Sequence, residues 1–105
     1  MKKNLNAKSL VAYEALLLNC LKNKDGYGYA LANQIHKKFD IDINYSTLYT
    51  ILNNLERNGY IVGRWVLEVV TEKNRKIYNL TNKGVNSLKL LTEKLNNIIK
   101  KLNET

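Results

Sequence analysis

The 105-residue chain is 45% hydrophobic and carries a formal net charge of +8, from 17 Lys and Arg against 9 Asp and Glu. That balance suits one soluble globular domain and favours polyanionic partners, nucleic acid or an acidic membrane face. No apolar run approaches the roughly 18 residues of a membrane span, and the start MKKNLNAKSL lacks a signal peptide's apolar segment, so the expected location is the cytoplasm. With one cysteine, one histidine and no Gly-rich phosphate loop, the sequence gives no reason to expect a disulfide, a metal centre, a cofactor or an enzyme.

Residues 7 to 23, AKSLVAYEALLLNCLKN, read as a helix that is apolar over more than half its circumference. Leu10, Tyr13, Leu17 and Leu21 lie on one line and Val11, Ala15 and Leu18 on another, which implies two packing neighbours. Cys20 lies among leucines and reads as a buried, unreactive thiol. The next stretch, KDGYGYALANQIHKKF, reads as a short second helix with Asp25 placed to cap it. Leu31, Ala32, Ile35 and Phe39 mark its inward face, and His36, beside Lys37 and Lys38, faces solvent. Asp25, Asp40 and Asp42 are expected in loops without a partnering histidine, a further reason not to expect catalysis.

NYSTLYTILNNLERNGYI, residues 44 to 61, reads as a third helix with Asn44 as N-cap and Gly59 as its stop. Leu48, Ile51, Leu52 and Leu55 follow the i, i+3, i+4, i+7 spacing of a buried stripe. The opposite side carries Ser46, Thr50, Asn53 and Arg57, flanked by Tyr49 and Asn54, with Tyr45 and Thr47 near its start. Glu56 is the single carboxylate.

After Gly59 the pattern turns to β: YIVGRWVLEVV and RKIYNL, separated by the polar turn TEKN, read as a hairpin. Trp65 alternates with Leu67 and Val69, so core or hairpin packing is expected of it. The segment EKNRK, residues 72 to 76, places Lys73, Asn74, Arg75 and Lys76 around the hairpin tip. Thr81 can cap a last helix running to Asn103, about 34 Å long. Along it Leu88, Leu91, Leu95, Ile98 and Leu102 follow the 3, 4, 3, 4 spacing of a coiled-coil seam.

Three helices followed by a hairpin is the order of a winged helix-turn-helix, so the expected fold class is mainly α with a small β hairpin, an α+β chain. Residues 1–80 would form the DNA-binding unit, and residues 81–105 a dimerisation helix packed on the first helix within the same folding unit. A groove-reading helix needs hydrogen-bonding groups on its outer face, which the third helix supplies, and its N-terminus with Ser46 and Thr47 suits a phosphate. Cations on the wing would neutralise phosphates beside the groove. The competing reading is a protein-interaction module in which the basic charge is incidental.

The segments GYGYAL, STLYTILNNLERNGYI and RKIYNLTNKG, in this order between Leu10 and Gly84, resemble the PadR-like transcriptional regulators. The resemblance implies a dimeric DNA-binding protein, usually a repressor, whose first and C-terminal helices build the dimer. It places Ser46, Thr47, Tyr49, Asn53 and Arg57 on the recognition helix and Lys73, Arg75 and Lys76 on the wing. The expected DNA-binding set therefore adds Tyr45, Thr50, Asn54 and Asn74 to these, and the expected dimer contacts are Leu10, Tyr13, Leu17, Leu88, Leu91, Leu95, Ile98 and Leu102. Two departures stand out: the proline that often follows TLY is Thr50, and the Gly-Pro often seen before the wing's basic pair is replaced by EKN. Double-stranded DNA and a second copy of the chain are the expected partners, and the sequence leaves open whether a small-molecule effector exists.

Overall fold

The computed structural model describes residues 7–22 and 24–104, with side chains described from Ala12 onward. Among the described residues, four helices and three strands follow in the order α1 (Ala7–Leu21), β1 (Gly26–Tyr27), α2 (Gly28–Phe39), α3 (Tyr45–Arg57), β2 (Ile61–Glu68), β3 (Lys73–Leu80) and α4 (Asn82–Asn103). One core joins them. It takes Leu17, Leu18, Cys20 and Leu21 from α1, Leu31 and Ile35 from α2, the four-residue stripe of α3, Ile61 and Tyr78 from the sheet, and Leu88 from α4. No polar or charged side chain among the described residues is buried. Burial pushes the Cys20 thiol above its ordinary pKa, only partly countered by Lys38, which keeps it protonated and unreactive.

Local chemistry sets the helix ends. Asn44 caps α3 by accepting a hydrogen bond from the Thr47 N–H at 2.8 Å. At the other end the Gly59 N–H donates to the Glu56 carbonyl and the Tyr60 N–H to the Leu55 carbonyl, the paired bonds of a Schellman stop. This stop needs the left-handed φ of +81° that Gly59 adopts. Thr81 caps α4 by accepting from the Gly84 N–H at 3.0 Å, and its hydroxyl donates to the Gly59 carbonyl at 2.7 Å. The end of α3 and the start of α4 are thereby tied together. Asp25 does not cap α2: the N-cap is Tyr27, in extended conformation and without a side-chain cap, because Gly26 and Tyr27 are engaged in a strand.

That strand is an element the sequence did not suggest. β1 pairs antiparallel with β3 through Gly26 opposite Tyr78 and Tyr27 opposite Ile77, so the hairpin becomes a three-stranded sheet of order β1-β3-β2. The β2–β3 register runs from Ile61 opposite Leu80 to Glu68 opposite Lys73. The turn is therefore residues 69–72, two residues earlier than TEKN, and Glu72 takes the left-handed conformation within it. Val69 and Val70, expected as strand, stand at the tip, where Val70 is 93% exposed.

α4 packs on α1 near its start and then leaves the domain. Among its 22 residues only Gly84 and Leu88 are buried, and Leu91 is half-buried against the core. The molecule extends 56 Å in its longest direction against 24 Å in its shortest. The expected dimer contacts therefore divide. Leu17 and Leu88 are consumed in the chain's own core, and Tyr13 and Leu91 pack on its edge. Leu95, Ile98 and Leu102 are exposed, and the Leu10 side chain lies outside the described residues.

Candidate nucleic-acid interface

The buried stripe of α3 fixes which of its residues face out. Tyr45, Ser46, Tyr49, Thr50, Asn53 and Arg57 are exposed, and Thr47 and Asn54 are half-buried at the margins. The Thr50 hydroxyl donates to the Ser46 carbonyl at 2.9 Å, so it can offer only acceptor lone pairs outward. Arg57 Nη1 donates to Asn54 Oδ1 at 3.4 Å, a long bond that leaves most of the guanidinium donors available. Asn53 has no side-chain hydrogen bond among the described residues. Its amide can both donate and accept, the pairing an adenine edge requires.

Between α3 and the hairpin lies an open groove of about 430 Å³. Tyr49 and Asn53 come to it from α3, Trp65, Asn74, Arg75, Lys76 and Tyr78 from β2 and β3, Tyr27 from β1, and Gly28 and Tyr29 from the start of α2. Tyr27 and Tyr29 stack with centroids 5.7 Å apart, and the Arg75 guanidinium lies over both rings, 5.0 Å from the Tyr29 centroid. Arg75 also pairs with Glu68 across the hairpin. One cation thus joins wing, β1 and α2.

Lys76 is committed as well. Its ammonium donates to Glu56 Oε1 at 2.7 Å and lies over the rings of Trp65 and Tyr78. The other carboxylate oxygen of Glu56 accepts from the Gly63 N–H at 3.0 Å. Of the three wing cations, Lys73 alone has no ion pair among the described residues. Of these expected phosphate contacts, Lys73 is exposed, and Arg75 and Lys76 are each ion-paired within the chain while lining the groove.

The Glu56–Lys76 pair has a defined pH window. The hydrogen bond from Lys76 holds the Glu56 carboxyl below its usual range, against a smaller effect of burial, with the Gly63 N–H adding to the lowering. The same bond, from the other side, raises Lys76. Stability from Glu56 is present above the ordinary carboxylate range and lost as pH falls through the lowered folded value; that from Lys76 is present below the ordinary lysine range and lost as pH rises through the raised one. The pair is therefore expected intact from about pH 5 to about pH 10. Carbon-detected titration of Glu56 should give a midpoint below the ordinary glutamate range.

Two further expectations change. Trp65 is 68% exposed rather than packed, because it lines the open groove between α3 and the hairpin. Asp42 does meet a histidine: its Oδ1 lies 2.6 Å from His36 Nδ1, and this exposed pair ties the end of α2 to the following loop. Among the described residues no group of three or more His, Cys, Asp or Glu is arranged to hold a metal ion, and no helix is long and apolar enough to cross a membrane. Tyr27, Tyr29 and Trp65 were missed as groove residues; the doubled Gly-Tyr of GYGY, an unusual way to open a helix, was the available signal.

The fold recurs in known regulators. The chain is similar to a transcriptional regulator of Clostridium thermocellum, at 29% identity and a TM-score of 0.81 over 90% of this chain and 92% of that one. It is similar to a PadR family transcription regulator of Clostridium difficile R20291, at 30% identity and a TM-score of 0.78 over 87% and 94%. A Streptococcus mutans UA159 protein superposes with a TM-score of 0.76 at 30% identity over 98% and 91%. No curated protein matches. The family model described as the transcriptional regulator PadR-like family matches residues 17–90, from the core of α1 through the wing to the first half of α4, and the chain belongs to that family of DNA-binding, winged-helix regulators of transcription.

Proposed function

We propose that the chain acts as a homodimeric repressor on an inverted-repeat operator, with α3 of each copy in the major groove and the wing on the flanking backbone. The observation that carries this reading is the outer face of α3: Asn53 and Arg57 are exposed one turn apart, and Tyr49 and Asn53 share a groove with the wing. An amide for adenine and a guanidinium for guanine suit base edges at that spacing. The dimer reading is supported by α4, which contributes no buried residue after Leu88 while Leu95, Ile98 and Ile99 are exposed. A second copy would cover them as a coiled-coil seam. The expected DNA-contacting set is Tyr45, Ser46, Tyr49, Thr50, Asn53 and Arg57 from α3, with Thr47 and Asn54 at its margins and Lys73 and Asn74 from the wing. Arg75 and Lys76 shape the groove more than they neutralise phosphate.

Binding to a labelled duplex across a range of salt tests the proposal. A dimer that neutralises about 6 to 10 phosphates should lose affinity with a log–log slope near −0.9 per phosphate. Lys73→Ala should lower the slope by roughly 2 per dimer and weaken all sequences alike. An unchanged slope removes the wing tip from the interface.

A further inference from the structure

We propose that Glu56 is a positioning residue for DNA recognition: by holding Lys76 and the Gly63 N–H together, it fixes the angle between α3 and the wing so that both meet the duplex as one body. The proposal rests on the reading of α3 and the wing as the DNA-contacting elements. Glu56 is the only carboxylate on α3, and in a helix that faces a polyanion an acidic side chain is an electrostatic cost unless it has another task. Here both its oxygens are used, one by a lysine of β3 and one by a backbone N–H of β2. A single side chain on the reading helix thus grips both strands of the wing.

The surroundings fit that task. β2 is an edge strand of the sheet, and the N–H it donates at Gly63 goes to Glu56 rather than to water. A Cβ at Gly63 would collide with Lys76 Cε and stand 3.1 Å from Glu56 Oε2, so a side chain there would displace the two partners of the clamp. The Lys76 ammonium that meets Glu56 also lies 5.8 Å from the Trp65 ring centroid and 5.5 Å from that of Tyr78. The other links between α3 and the hairpin, the connection through Gly59 and Tyr60 and the core packing of Ile61 and Tyr78 with the α3 stripe, lie towards the base of the wing. Tyr49 and Asn53 of α3 face Trp65, Asn74 and Arg75 across the groove whose width the clamp sets.

The test exploits opposite signs. Simple removal of a negative charge from a DNA-facing surface raises affinity for every duplex. Loss of the clamp instead lowers operator affinity, because the wing no longer docks in register with α3. Glu56→Ala is expected to bind random duplex as well as the wild type or better, yet to lose about tenfold in operator preference, and to exchange the Gly63 amide proton about tenfold faster without DNA. Glu56→Gln, which keeps an acceptor for Gly63, should recover part of both losses. Glu72→Gln, a neutralisation at the wing tip away from the clamp, should raise both affinities and leave their ratio unchanged. Full operator preference in folded Glu56→Ala, or unchanged Gly63 exchange, overturns the clamp alone. A wild-type chain without any operator preference overturns the DNA reading and this proposal with it.

Discussion

Leu95→Asp is expected to separate the proposed dimer into folded monomers. Leu95 is 39% exposed on the part of α4 that has left the domain, so a carboxylate there creates no cavity in the core of Leu17, Leu52 and Leu88. In the proposed seam the same carboxylate would be desolvated against a second apolar helix without a partner. Sedimentation should show the wild type at twice the chain mass and the variant at the chain mass, with the secondary structure of the winged domain retained. Operator affinity should collapse with the dimer, because a monomer reaches one half-site only. If Leu95→Asp stays a dimer of wild-type stability, the seam lies elsewhere.

Neighbouring residues on α3 should give opposite phenotypes. Leu52 is fully buried between α1, α2 and the sheet, so Leu52→Ala is expected to cost about 2 to 5 kcal/mol through loss of burial and an unfilled cavity. For a chain of this size that lowers the melting temperature by at least about 8 °C. Asn53→Ala removes an exposed side chain without a hydrogen-bond partner and should change stability by less than about 0.5 kcal/mol. It should narrow the gap between operator and random DNA by about 1 to 3 kcal/mol. Thermal melts and paired binding curves on the two variants measure all four numbers. A destabilised Asn53→Ala with intact preference would mean that the faces of α3 have been assigned the wrong way round.

What the sequence revealed and what it hid follow from the range of the interactions. The stripe of α3, the Asn44 cap, the Gly59 stop and the Thr81 cap all depend on neighbours within a turn or two, and each is where the sequence places it. The wing register is not local. Val69 and Val70 have the β-branched shape of strand residues, but the pairing of Glu68 with Lys73 puts them in the turn. β1 is two residues long and exists only because β3 lies beside it. Alternation correctly put Trp65 and Leu67 on one face of β2, yet it says nothing about how far α3 extends over that face, and both are exposed. The ion pair of Glu56 with Lys76 spans 20 positions and that of His36 with Asp42 crosses a turn, and neither leaves a spacing signature. For the candidate site, the helix was legible; the groove, with its tyrosines and clamped lysine, required the fold.

Selection of bound duplexes from a random pool, run side by side with the wild-type chain and the Asn53→Ala/Arg57→Ala variant, tests the central claim most directly. The wild type should enrich an approximate inverted repeat whose half-sites are centred about 10 base pairs apart, the spacing of successive major grooves on one face of the duplex. The variant should retain binding to the pool at low salt but enrich no such repeat. A wild-type selection without a repeated half-site, or a variant that enriches the same repeat as the wild type, would contradict the account of α3 as the element that reads DNA sequence.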